Sequence, residues 1–294
     1  FGGTTVSVIA TASGNSVSSI TVGTGPCALA VLGTNVYVAN YDSGTVSIID
    51  TANGNSVSTV TVGTNPVELV IVGTNIYVAN FGGTTVSVIA TASGNSVSTV
   101  TVGTNPITLI VLGTKVCVAN VNSSNVSIID TANGNSVSTV TVGTTPISLT
   151  VYGTDVYVAN NGTNTVSVIA TASGNSVSTI TFEVGSTPRV LTTLGTKVYL
   201  ADNDASSEIH VIDPLNGNSY VTIINYIFAD YSAVTTLGTK VFFTNTGQGS
   251  INVVDAGTDK SFIMGLDIDP SANMDAIITL VTKLYTENYV LGTV

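Results

Sequence analysis

The side chains able to move protons, hold metal ions or take anions are few here. The chain has one histidine, His210, one arginine, Arg189, two cysteines and no tryptophan, with 17 acidic against 6 basic residues. Acid–base and nucleophilic catalysis need several such groups converging with shifted pKa values. Asp202, Asp204, Ser206 and Glu208 alternate like the first oxygens of a calcium loop, although the turn glycine and the distal bidentate glutamate are missing. Asp202, Asp204 and Glu208 are thus the metal-ligand candidates, Ca²⁺ is the ion they suggest, and a solvated acidic loop is the competing reading. Asp267, Asp269 and Asp275, around Pro270, pose the same choice. Arg189 follows Pro188 at the start of a strand and is the best single candidate for an anion contact, against a structural hydrogen-bond donor. His210 aligns with Ser47 on a strand and reads as a solvent-facing residue rather than a ligand or base.

Cys27 aligns with Val67 and Ile107, and Cys117 with Tyr37 and Tyr77, so each replaces an apolar residue in a different repeat. A disulfide needs α-carbons within about 7 Å, and the two lie two blades apart, so two buried free thiols are expected. Asn122, Asn125 and Asn161 are glycosylation sequons, all in equivalent loops and hence on one rim.

A formal net charge of −11 argues against nucleic acid as a partner, since a phosphate-binding face needs clustered Lys and Arg, and against docking on an anionic membrane. Mean hydropathy is +0.49, yet Gly, Ser, Thr or Asn interrupts every apolar run well short of a membrane-spanning length, so no membrane insertion is expected. The chain opens at Phe1 with no signal-peptide pattern, and Gly292-Thr293-Val294 matches Gly44-Thr45-Val46. A removed signal and a further module beyond this stretch are the corresponding expectations.

The elements that position these groups come from a repeat. Val36-Tyr37-Val38-Ala39-Asn40 returns at Ile76 to Asn80, Val116 to Asn120 and Val156 to Asn160, then drifts through Val198 to Asp202, Val241 to Asn245 and Leu284 to Asn288. Apolar residues alternate with polar ones at a period of two, in Val, Ile, Thr and Tyr, which suit strands. One unit reads as four strands, Thr45 to Asp50, Ser56 to Val62, Val67 to Val72 and Asn75 to Ala79. Asn53-Gly54-Asn55 supplies positive φ in one hairpin, Pro66 fixes φ in the crossing, and Gly73-Thr74 closes the next turn. Four strands in about 40 residues is the signature of a propeller blade.

At Tyr37-Val38-Ala39-Asn40 and its copies the chain resembles the YVTN family of β-propeller repeats, found in archaeal and bacterial surface-layer and secreted proteins. It departs from the motif at Ala39, Ala79, Ala119 and Ala159, where Thr is usual, and at Cys117, where Tyr is usual. The resemblance implies that the strand after each Pro is innermost and the Tyr-Val-x-Asn strand second. The expected fold is all-β, one domain over 1–294, a seven-bladed β-propeller of four-stranded antiparallel blades with units near 1–40, 41–80, 81–120, 121–160, 161–202, 203–245 and 246–294. The ring is expected to close by N-terminal strands pairing with C-terminal strands in one blade, which removes exposed edges.

At the position of Glu68 the other units have Ala28, Thr108, Ser148, Val190, Ala233 and Ala276, and one carboxylate among small neutral residues makes no acid–base pair. The functional expectation is a non-catalytic extracellular or cell-surface building block of a surface layer, sheath or filament, without cofactor beyond a Ca²⁺ ion. Its expected partners are copies of itself, other surface proteins or glycans. A carbohydrate- or protein-binding adhesion module using the loop rim is the alternative, and a propeller lyase or hydrolase ranks third.

Overall fold

In the computed structural model, residues 2–10, 14–183, 185–203, 208–225, 231–245, 250–257 and 260–265 are described. They fall into two compact units, Phe1–Thr145 and Pro146–Val294. Asp204 and Ser206, the acidic cluster Asp267–Asp275, Ala276 and the repeat copy Leu284 to Asn288 lie outside the described residues.

The first unit opens with a two-stranded sheet, β1 (Thr5–Ala10) and β2 (Ser16–Thr21). Three four-stranded sheets follow: β3 (Pro26–Leu32), β4 (Asn35–Asn40), β5 (Thr45–Asp50) and β6 (Ser56–Thr61); β7 (Pro66–Val72), β8 (Asn75–Asn80), β9 (Thr85–Ala90) and β10 (Ser96–Thr101); β11 (Pro106–Leu112), β12 (Lys115–Asn120), β13 (Asn125–Asp130) and β14 (Ser136–Thr141). The second unit has three more: β15 (Pro146–Tyr152) to β16 (Asp155–Asn160), β17 (Thr165–Ala170) and β18 (Ser176–Thr181); β19 (Pro188–Leu194) to β20 (Lys197–Asp202), β21 (Glu208–Asp213) and β22 (Ser219–Asn225); β23 (Tyr231–Leu237) to β24 (Lys240–Asn245), β25 (Ser250–Asp255) and β26 (Lys260–Gly265). Every sheet is an antiparallel meander in chain order. Among the described residues this makes six four-stranded sheets and one of two strands.

Local chemistry accounts for the joints. In the third-to-fourth hairpin, Asp50 Oδ1 accepts from Ala52 N at 3.0 Å and starts a single 3-10 turn, Thr51–Asn53. Gly54 and Asn55 then take φ of 63° and 61°, the left-handed values that Gly and Asn tolerate best. The first strand of each four-stranded sheet starts with a register shift, as between Pro66 and Glu68; five of the six start with Pro, which has no N–H for the ladder, and β23 starts with Tyr231.

Packing sets an inside-to-outside gradient within each sheet. The two middle strands are buried on both faces: Val46, Ser47, Ile48 and Ile49 are all under 5% exposed. They are covered by the next sheet of their own unit, as where Tyr37, Val46 and Ile48 meet Leu69, Ile76 and Ile89. Burying one such Val or Ile contributes about 1.5–3 kcal/mol. The last strands β6, β10 and β14 carry Ser-Val-Ser-Thr-Val-Thr and remain largely exposed, with Val57 at 41%.

Candidate functional site

In the middle strands a buried polar triangle ties the end of the second strand to the start of the third. Asn80 Nδ2 donates to Thr85 Oγ1 at 3.0 Å and to Ser87 Oγ at 2.9 Å, while Asn80 Oδ1 accepts from Gly63 N at 3.1 Å. Asn40 with Thr45 and Ser47, Asn120 with Asn125 and Ser127, and Asn160 with Thr165 and Ser167 repeat the donor pattern. Asn245, Ser250 and Asn252 hold the same places in β24 and β25. All five sets are neutral.

The sheet β19–β22 is the exception, since its three positions carry Asp202, Glu208 and His210. Asp202 is fully buried and His210 is 3% exposed. The polarity of the triangle is inverted, because a carboxylate only accepts. Asp202 Oδ1 takes Glu208 N at 2.7 Å, and its Oδ2 takes Ser186 Oγ at 2.7 Å and faces His210 Nε2 at 3.2 Å. Glu208 Oε2 stands 3.7 Å from the same ring nitrogen, with a side chain 20% exposed. The other ring nitrogen, Nδ1, is 2.9 Å from Thr222 Oγ1. Thr222 faces His210 because the β21–β22 register slips between Ile209 and His210. Phe182 packs on the imidazole at 4.7 Å between centroids, and Tyr220 meets it edge-on at 5.5 Å. Tyr220 also lines a groove of about 450 Å³ with Ser178, Thr179, Thr181 and Asn218.

The arrangement has two chemical capacities. With a proton on Nε2, His210 donates to Asp202 and accepts the Thr222 hydroxyl, which is a relay for proton transfer. With Nε2 unprotonated, one nitrogen and two carboxylates face a common centre.

These contacts correct the sequence reading at His210, which is buried and partnered rather than solvent-facing. A solvent-facing residue needs an open face, and β21 is buried from Ile209 to Ile212. Of the three metal-ligand candidates, Asp202 and Glu208 come together, and the third member is His210. Arg189 is exposed on β19, and none of the hydrogen bonds that define the cluster involves it. Asn122 is exposed and donates to Asn105 Oδ1 at 2.7 Å. Asn125 is half-buried and serves the Asn120 triangle, and Asn161 is half-buried and donates to Pro188 O at 3.3 Å. Cys27 and Cys117 are free thiols, which burial pushes up to about 11 and about 12. Glu68 is half-buried and accepts Leu109 N at 3.0 Å, and desolvation raises its carboxyl to about 7.

The chain matches no protein-family model and no curated relative. Solved structures do match. Virginiamycin B lyase from Staphylococcus aureus aligns over 84% of this chain and 86% of its own, with a TM-score of 0.70 at 14% identity. Hydrazine synthase from Kuenenia stuttgartiensis aligns over 88% and 83%, with 0.66 at 16%. A putative 6-phosphogluconolactonase from Bacteroides fragilis aligns over 87% and 88%, with 0.64 at 14%. The fold that this chain shares with such neighbours is the β-propeller. The expectation of a non-catalytic surface-layer, sheath or filament block is overturned by the same finding, because these neighbours are enzymes. Its main support, the lack of a convergent cluster, also falls with Asp202, Glu208 and His210 side by side.

Proposed function

We propose that the chain is an enzyme-like propeller of the lyase or hydrolase kind, with Asp202, Glu208 and His210 as its chemical groups. The observation that carries the reading is the joint replacement of a neutral Asn–Thr–Ser triangle by three ionisable side chains at one place in one blade. Burying charge where a neutral network already satisfies the backbone is costly, so stability alone does not account for it. The neighbouring lyase is known as a catalytically inactive histidine-to-alanine variant with quinupristin, so one histidine is essential in that protein. In this chain Asp202 and Thr222 hold the His210 imidazole from its two ring nitrogens and set its orientation. Glu208, the most exposed of the three, is the member that meets substrate. Six cations on a chain of net charge −11 favour an uncharged substrate over a phosphorylated one.

The test is turnover of quinupristin, with 6-phosphogluconolactone as the anionic comparison, followed by mass spectrometry. Expected is conversion of the first, lowered about 100-fold or more in Glu208→Gln and His210→Ala, within the range general acid–base groups contribute. Equal conversion by wild type and both variants, or no conversion of either compound, counts against the reading.

The finer architecture belongs to the same proposal. The copy at Leu284 to Asn288 supports a seventh blade completed on the two-stranded sheet β1–β2, in a propeller like those of YVTN repeats. Deleting residues 1–20 should then lower the melting temperature by tens of degrees on the order set for large domains, and parent-like melting would exclude this closure. The hydroxyl-rich, cation-poor chain supports an extracellular or cell-surface location.

A further inference from the structure

His210 Nε2 stands between two carboxylates. Asp202 and Glu208 bring two negative charges, and an imidazolium offsets one at most. Among the described residues, the lysine ion pairs go to Asp213 and Asp255, at the other end of their strands. Charge taken out of water is disfavoured unless a proton or a cation joins it.

The geometry favours a cation. One ligand atom from each of Asp202, Glu208 and His210 lies within 4.8 Å of the other two. Ligands about 2.1 Å from one ion, at tetrahedral or octahedral angles, sit roughly 3.0–3.5 Å apart. The 3.2 Å and 3.7 Å separations around Nε2 are close to that. The surrounding groups also suit ligation. Ser186 and the Glu208 N–H each take one lone pair of the Asp202 carboxylate, fixing its plane and leaving Oδ2 a second lone pair. Thr222 Oγ1 can accept the proton that Nδ1 carries when Nε2 binds metal, which fixes the tautomer. The neutral triangles of the other blades have no such arrangement.

We propose that Asp202, Glu208 and His210 bind one divalent transition-metal ion, of the Zn²⁺ or Mn²⁺ class. An imidazole with two carboxylates selects such ions over Ca²⁺, which prefers six to eight oxygens. His210 therefore takes the place that spacing alone assigned to Asp204. The inference deepens the functional reading by naming the cofactor of the same cluster. It is read by metal binding, so the failure of turnover and the failure of binding are separate results.

The experiment titrates the full chain, stripped with EDTA and dialysed, with Zn²⁺, Mn²⁺ and Ca²⁺ by calorimetry and thermal melting. Expected is one Zn²⁺ or Mn²⁺ per chain at micromolar or tighter affinity, a raised melting temperature, and Ca²⁺ at least 100-fold weaker. Glu208→Gln, at the partly exposed member of the cluster, should fold normally and bind at least 10-fold more weakly. Co²⁺ should give a visible absorption that His210→Ser loses. The absence of saturable binding, unchanged affinity in both variants, or a preference for Ca²⁺ would each overturn the proposal.

Discussion

The blade β7–β10 and the blade β19–β22 place the same three backbone positions in the same ladder, with opposite electrostatics. In the first, Asn80 donates outward to Thr85 and Ser87. In the second, Asp202 gathers donors from Ser186, Glu208 N and His210. The comparison separates two kinds of constraint. The blade needs a short polar residue at the end of its second strand that can bind across to the third and to the crossing loop. It does not need a particular charge there. Gly63 shows how tight the site is, since a Cβ on it would sit 2.5 Å from Asn80 Cγ. Chemistry can therefore be written into one blade by changing side chains inside an unchanged backbone frame.

Removing the acceptor should have the largest effect. Asp202→Ala leaves Ser186 Oγ, Glu208 N and His210 Nε2 without their shared partner in a buried site, at a cost of about 3–5 kcal/mol. At roughly 2–4 °C per kcal/mol for a chain of this size, a melt in EDTA should fall by about 10 °C. A drop no larger than that of Asn80→Ala would show that the charged cluster is no more tightly coupled than the neutral triangle.

The converse change puts charge where no counter-group waits. Asn80→Asp keeps an acceptor for Gly63 N, and Thr85 and Ser87 can turn their hydroxyls to donate. No imidazole or cation offsets the charge, so a loss of about 1–3 kcal/mol is expected in urea unfolding at pH 7. A carboxyl whose folded pKa is raised regains stability as pH falls, so the deficit should shrink toward pH 4. A deficit independent of pH would mean that shape rather than charge limits this position.

Much of this frame is legible in the residues and part is not. The four strands read from Thr45 onward match β5 to β8 within a residue at each end, because Asn-Gly turns and Pro-led strands are local signals. The fate of His210 is not local. Its place on a strand did not show its burial, because strands in the middle of a blade are covered on both sides by neighbours far along the chain. The signal that could have located it was Asn40 and Ser47 recurring seven residues apart through four repeats, a fixed polar pair amid apolar residues. In β20 and β21 an extra loop residue widens that spacing to eight between Asp202 and His210, which hides the equivalence. Spacing placed Asp204 among the ligands, but spacing cannot say which residues fold back onto one carboxylate.

Glu68 offers a milder version of the contrast within the neutral blade. Burial raises its carboxyl from 4.5 to about 7, and the Leu109 N–H pulls only partly the other way. Between those pH values the folded chain keeps a proton that the unfolded chain has lost, so wild-type stability should fall as pH rises from about 4.5 to 7. Glu68→Gln should remove that slope and be the more stable at pH 8 by on the order of 1 kcal/mol, since the site is half-buried and screened. Equal slopes for the two proteins in melts from pH 4 to 8 would place the carboxylate in solvent instead.

The smallest stability change should come from the most extensive substitution. Asp202→Asn, Glu208→Thr and His210→Ser together rewrite the charged blade as a copy of its neighbours, restoring amide-to-hydroxyl bonds and removing buried charge. Replacing a buried ionic cluster with a satisfied neutral one is often neutral or stabilising. Against that, Phe182 and Tyr220 lose the imidazole packed against both of them, at 4.7 Å and 5.5 Å. The two effects oppose, and a net change within about 1 kcal/mol of wild type is expected in EDTA. Metal binding and turnover should both be abolished. A triple variant that keeps either function would detach it from this blade, and one that loses several kcal/mol would show the charged triad to be part of the architecture.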